Sequence, residues 1–376
     1  MKTLKKLAIF CLGAMLFTSC TPGGEQGGQQ KPTGLRLTAT PTTIYDNGES
    51  YSQLTLTLDG VPVTDGFTLY DANDNVVTLE DMRFTSTQRG TFSFWASYGA
   101  KTSNTVAIIV VETPPAAPAA PADPTPEKTN FKRRIFLTQF TGTGCGYCPY
   151  MMNALYLINQ KRGDDVVIAA AHMFNTTDPM YLTEAPSLDN SLSVFSFPDL
   201  TLDLIDSDGN MNPTESYVNS QINKAFSRVE VKGGLSVNAY DYTAEGRNFI
   251  MATVTVKAKV TTEFRVGAWL LEDNIEAKQG NNGITPVEGV DFNIHHNAVR
   301  LADSRQTTMD FSGHDLGKIE AGKTATYEFA FQIKDGWKAE NMHLAVFIST
   351  KEGDEWYVNN AMNAATNGET PFSYED

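Results

Sequence analysis

Long hydrophobic runs, basic charge and cysteine are all scarce in this 376-residue chain. A single apolar run, Leu7 to Phe17, lies near the N-terminus. As a helix it would rise only about 16 Å, short of a hydrocarbon core of about 30 Å, so it is not a spanning helix. No other segment is apolar for long enough to cross. Lys and Arg number 29 against 44 Asp and Glu, a formal net charge of −15. Without a broad basic surface to displace counterions, nucleic acid is excluded as a partner, and the acidity serves solubility. The four cysteines are Cys11, Cys20, Cys145 and Cys148. Cys11 sits in the apolar run and Cys20 just after it. The remaining pair is only two residues apart, so there is no disulfide framework to staple a fold in an oxidising compartment.

What is present begins with the leader. Lys2, Lys5 and Lys6 precede the apolar run, and Phe17-Thr18-Ser19-Cys20 follow, then a Gly/Gln-rich stretch. This grammar is that of an export signal, residues 1–19. It resembles a bacterial lipoprotein signal, which implies cleavage before Cys20 and acylation of its sulfur. The resulting lipid anchor would hold the protein to a membrane of the cell envelope. An ordinary cleaved signal that happens to carry a cysteine is the alternative. Residues 20–34 read as a flexible tether.

The rest reads as multidomain and mainly β. Short alternating strands over residues 35–112, punctuated by Asn47-Gly48, Asp59-Gly60 and Asp65-Gly66, predict a sandwich of immunoglobulin-like size. Residues 113–131 carry six prolines and predict a stiff linker able to span on the order of 50 Å. Over residues 132–228 strands and helices alternate. The expected order is a strand at 134–140, a helix at 147–160, a buried strand at 166–173, a short helix at 188–195, a strand at 200–205 and a helix at 213–226. Asp206-Ser207-Asp208-Gly209 reads as a turn, since its Gly comes too early for an EF-hand loop. Residues 229–376 return to strands and predict a second, larger sandwich.

The chemistry concentrates at Cys145-Gly146-Tyr147-Cys148-Pro149. Proline is tolerated only in the first turn of a helix, so the helix cap falls at Gly146 or later. Cys145 then lies just outside the helix N-terminus and Cys148 just inside. The positive end of the helix favours thiolate. An exposed outer sulfur and an inner one that can close on it is what dithiol exchange requires. Gly142, Gly144 and Gly146 are expected to let the backbone turn tightly before the helix.

A strand, a loop and a Cys-x-x-Cys opening a helix resemble the thioredoxin superfamily. The run from Phe140 to Pro149, with Ile294-His295-His296-Asn297-Ala298-Val299-Arg300, is similar to the 28-kDa outer membrane protein family (Omp-28-type lipoproteins). That resemblance covers about residue 133 to the end and implies outer-membrane placement. Residues before it resemble bacterial immunoglobulin-like modules. The superfamily resemblance implies Cys145 as nucleophile and Cys148 as resolving cysteine, supported by Gly146 and Tyr147. It also puts Pro198, after Phe197, at the position of a cis-proline facing the cysteines. Gln139 stands where such proteins often keep a buried acid, and little chain remains after Gly209 for the usual last strand.

Other readings of these residues stay open. Zinc would need two more ligands, and His172 is the one nearby histidine. His295 and His296 are adjacent, so on a strand they point to opposite faces. No metal and no organic cofactor is expected. Two functions remain. One is thiol–disulfide exchange on envelope proteins. The other is a non-enzymatic surface binding protein or adhesin whose Cys-x-x-Cys is a structural or relict disulfide.

Overall fold

The computed structural model describes residues 34–40, 42–113, 117–182, 188–189, 191–205, 210, 212–244, 247–304 and 310–375. The leader, Cys20, the tether and the turn at 206–209 lie outside the described residues. The chain divides into two compact units, the second starting at Ala117.

In the first unit, Leu35–Thr40 pairs antiparallel with Ser52–Leu58. A second sheet is built around Gly90–Tyr98, flanked by Phe67–Asp71 and Val106–Val111. Alternate residues of both sheets share one core, with Leu37, Leu54 and Leu56 from the first and Leu69, Phe94 and Ile108 from the second. Period-two alternation thus yields two packed β layers. Asp59 and Gly60 both take positive φ at the turn between Ser52–Leu58 and Val61–Pro62, as a two-residue hairpin of the primed type requires.

In the second unit, the strand Ile135–Thr141 lies between Asp199–Leu202, antiparallel, and Val166–His172, parallel. The 135–141 and 166–172 strands are buried at every position, as parallel strands covered on both faces should be. Ile135, Leu137, Val166 and Ile168 face two helices, Cys148–Arg162 and Glu215–Arg228. The first helix ends in Lys161 and Arg162, cations at the negative end of its dipole. The second is capped by Thr214, whose side chain accepts from the Tyr217 N–H. No further strand flanks Asp199–Leu202 among the described residues.

The sheet does not stop at residue 228. The free edge of the 166–172 strand pairs in parallel with Ala298–Asp303, through Ala170 opposite Ala298. Beyond come Thr262–Glu272, Met342–Glu352 and Glu355–Ala365, all in the same sheet. A boundary at 228/229, drawn where helix gives way to strand, therefore falls inside one compact unit. An unpaired parallel edge is an exposed row of backbone donors and acceptors, and the later strands satisfy it. The core on the face away from the helices joins Phe136, Phe140 and Ala169 to Trp269, Val299 and Phe347. A second sheet, of Thr324–Ile333, Arg247–Ala258, Gly233–Ala244 and Gly368–Thr370, packs over the C-terminal strands through Val237, Val254, Val266, Leu344 and Val346.

The proline-rich segment also departs from the sequence expectation. Residues 117–130 lie against the second unit instead of spanning free space. The Asn238 side chain donates to the Ala119 carbonyl at 2.8 Å. Buried Lys257 reaches Asp123 at 2.8 Å and the Pro126 carbonyl at 2.7 Å. Lysine almost never lies inside unpaired, and here the linker supplies its partners.

Candidate functional site

The Cys-x-x-Cys loop follows the 135–141 strand and leads into the helix that begins at Cys148, with Tyr147 as cap residue and Pro149 in the first turn. The expected placement of the two cysteines at the helix N-terminus is found. They form a disulfide, with an S–S distance of 2.04 Å. The Cys148 N–H points to the Cys145 carbonyl at 3.3 Å and the Cys145 sulfur at 3.1 Å.

Access to the outer sulfur differs from expectation. Cys145 is only 2% exposed and Cys148 fully buried. A segment from the C-terminal half lies over the loop. The Gln279 side-chain amide donates to the carbonyls of Cys145 at 2.8 Å and Gly142 at 3.2 Å. The Gly280 N–H reaches the Thr143 carbonyl at 2.6 Å, and the Asn282 N–H the Gly146 carbonyl at 3.0 Å. Gly146 suits this closeness, because a Cβ there would stand 2.5 Å from the end of the Asn282 side chain and make it swing away. Gly142 serves likewise, since its Cβ would meet Phe174 Cβ at 2.5 Å. The loop turns tightly as expected, the Cys145 N–H reaching the Gly142 carbonyl at 3.0 Å, but neither glycine takes a positive φ, so what they add is room for close approach.

Tyr147 is 46% exposed beside the pair. The Phe197-Pro198 peptide bond is cis, the conformer that the superfamily resemblance implies. The Phe197 ring meets Phe174, which in turn lies against Gly142 and Gly144. Gln139 is buried, on the strand face that carries Ile135 and Leu137 toward the helices.

Sequence reasoning missed a polar cluster behind the loop. Asp178 Oδ2 accepts from the Thr143 N–H at 2.6 Å and contacts His172 Nδ1 at 2.9 Å. Burial alone pushes the Asp178 carboxyl up. The His172 imidazole and the Thr143 and Met180 N–H groups together outweigh it and hold the carboxyl well below the usual range. An ionised carboxylate only accepts, so His172 Nδ1 carries the proton. His295 packs edge-on against His172, ring centroids 5.2 Å apart. Its Nε2 donates to the Ala277 carbonyl at 3.1 Å. Burial first, then His172 beside it, pushes the His295 pKa down to about 4, so the ring is neutral. His296, just past the Ile294–His295 strand, is exposed beside Asp273. His172 and Asp178 are six residues apart, but Thr143 and His295 lie far from them in sequence, and no familiar local spacing announces the cluster. Only the similarity at Ile294 to Arg300 drew attention to the stretch. Among the described residues no group of three or more His, Cys, Asp or Glu is placed to hold a metal ion.

Comparison with known proteins adds family and fold. HBP35 of Porphyromonas gingivalis is similar in structure, with a TM-score of 0.50 and 18% identity over 63% of this chain and 76% of that one. A protein from Agrobacterium tumefaciens aligns with a TM-score of 0.38 and 13% identity, covering 63% of this chain and 96% of its own. A domain of the outer membrane lipoprotein Omp28 from Porphyromonas gingivalis aligns with a TM-score of 0.21 and 17% identity, covering 35% and 88%. A search of curated proteins found no match. The family profile described as Outer membrane protein Omp28 matches residues 202–369, which include the segment that covers the cysteine loop. Over that stretch, less than half of the chain, the chain is similar to the Omp28 family of outer membrane proteins, in agreement with the envelope placement expected from the sequence.

Proposed function

We propose that this protein is a lipid-anchored binding protein of the outer membrane, in which a thioredoxin-like segment serves as scaffold and the Cys145–Cys148 disulfide as a closed clip. The observation that carries this reading is the 2% exposure of Cys145 beneath Gln279 and Asn282. Exchange begins with a thiolate approaching a disulfide sulfur, and the seated segment blocks that approach. Cys20 would carry the lipid. The immunoglobulin-like module over residues 35–112 would present loops to envelope or surface partners. A thiol-exchange assay on a reduced protein substrate tests the reading, with Cys145→Ser as control. Wild type and variant should be equally slow, and a wild-type rate well above the variant's rejects the clip.

A second reading is favoured by the helix that starts beside the pair and by the exposed Tyr147, Tyr150 and Phe174 around it. In it a substrate thiolate attacks the Cys145 sulfur and expels the Cys148 thiolate, and a second substrate thiolate then displaces Cys145 from the mixed disulfide, leaving the substrate oxidised and the pair reduced. The reduced pair runs the reverse course on a substrate disulfide, Cys145 attacking and Cys148 resolving, with Pro198 seating the substrate backbone. This requires residues 279–282 to lift. Gln279→Ala separates the two readings. Exchange that appears in this variant and depends on Cys145 supports a guarded redox site. Its absence supports the clip.

A further inference from the structure

A cavity of about 470 Å³ opens between the helix Cys148–Arg162, the helix-facing side of the 135–141 and 166–172 strands, and residues 289–297. Its apolar wall includes Met152, Leu155 and Ile168. Gln139, His172 and His295 stand among the lining groups. The Gln139 amide nitrogen is buried and has no hydrogen-bond partner among the described residues, although leaving a buried amide unpaired is unfavourable. Rotation about the soft terminal bond of glutamine lets either its N–H or its oxygen meet a ligand. His172 and His295 each spend one ring nitrogen on a fixed partner, and the other nitrogen of each has no hydrogen bond among the described residues.

The charge pattern narrows the ligand. No Lys or Arg lines the cavity among the described residues, so an anion finds no counter-charge. The carboxylates are already engaged. Asp273 accepts from the Asn297 N–H and faces His296 and His343, and Asp291 accepts from the Asn293 N–H. An ammonium ion could still pair with these carboxylates, but having only donors it offers nothing to the Gln139 amide nitrogen, itself a donor. We propose that this cavity binds a small uncharged ligand whose amide-like group, a carbonyl acceptor beside an N–H donor, pairs with Gln139 while its apolar body lies along Leu155 and Ile168. The assignment rests on the binding-protein reading and gives it a ligand class.

Benzamide, benzoate and benzylamine, similar in shape and different in charge, are titrated into the full chain and followed through the imidazole NMR signals of His172 and His295. Benzamide should move both signals and bind about tenfold or more tightly than the two charged probes, because a site built for hydrogen bonds rejects analogues that leave its groups unpaired. Gln139→Leu should weaken benzamide by about tenfold or more without lowering the unfolding temperature. Gln139→Glu should turn the preference toward benzylamine. Equal binding of all three probes, silent imidazole signals, or unchanged preferences in both variants overturns the proposal. Thiol exchange by wild type together with intact benzamide preference would remove the closed clip alone and leave this site standing.

Discussion

Gln279 spends its side-chain amide on the carbonyls of Gly142 and Cys145, and both bonds are buried. Losing buried hydrogen bonds of this kind costs about 1–3 kcal/mol. Gln279→Ala should therefore raise the rate of disulfide reduction by dithiothreitol by roughly tenfold, read by thiol trapping over time; an unchanged rate would mean that the amide does not hold the cover down. His295 sets a pH dependence. Its folded pKa of about 4 lies below the ordinary 6.5, so between these values the unfolded chain binds the extra proton. Stability contributed by the neutral ring is complete above about pH 6.5 and is lost as pH falls toward 4, by about 3 kcal/mol. Half-buried His343, whose pKa is also lowered by desolvation, acts with the same sign. Urea unfolding of wild type and His295→Gln at pH 7 and pH 4.5 should show the larger loss in wild type. Parallel losses in the two proteins would clear His295 of the effect.

Among the elements, the strand Ile135–Thr141 and the helix Cys148–Arg162 were legible because their signals are local: a continuous apolar run, and a proline allowed only in a first turn. The strand Ala298–Asp303 was not read as one. Its role depends on an edge supplied more than a hundred residues earlier. The elements are held together by Arg133, buried at the start of the 135–141 strand. It pairs with Asp203 at 2.8 Å, donates to the Ala225 carbonyl at the end of the helix Glu215–Arg228, and reaches Asn359 in the Glu355–Ala365 strand. Removing one partner of a buried ion pair leaves the other charge uncompensated. Arg133→Ala should cost about 3–5 kcal/mol in equilibrium unfolding. A loss below about 1 kcal/mol would mean that Asp203 finds another partner. Thr214→Ala, which removes only a cap, should cost about 1 kcal/mol.

For the whole molecule, the decisive feature is a sheet shared by both halves of the second unit. A fragment of residues 132–228 would expose the 166–172 edge and half of the core around Phe136 and Phe140. It should lack cooperative unfolding by circular dichroism, whereas residues 117–376 should unfold in one transition. A stable, cooperative 132–228 fragment would restore a boundary at 228/229. The docked segment 117–130 belongs with the larger unit for the same reason, since Lys257 would otherwise be buried without Asp123.

Sequence alone determined the features that rest on short-range physics. These are the β-rich composition, the strand and helix periods, and two cysteines at the start of a helix. Each follows from a pattern read within a few residues. Tertiary structure decided whether the outer sulfur can be reached, which histidines meet, and where one folded unit ends. Those outcomes depend on Gln279, Asn282, His295 and the strand Ala298–Asp303, which chain folding brings to the cysteine loop and its strands from more than a hundred residues away. Burial and edge pairing are properties of both partners at once, and no local pattern in either one specifies them.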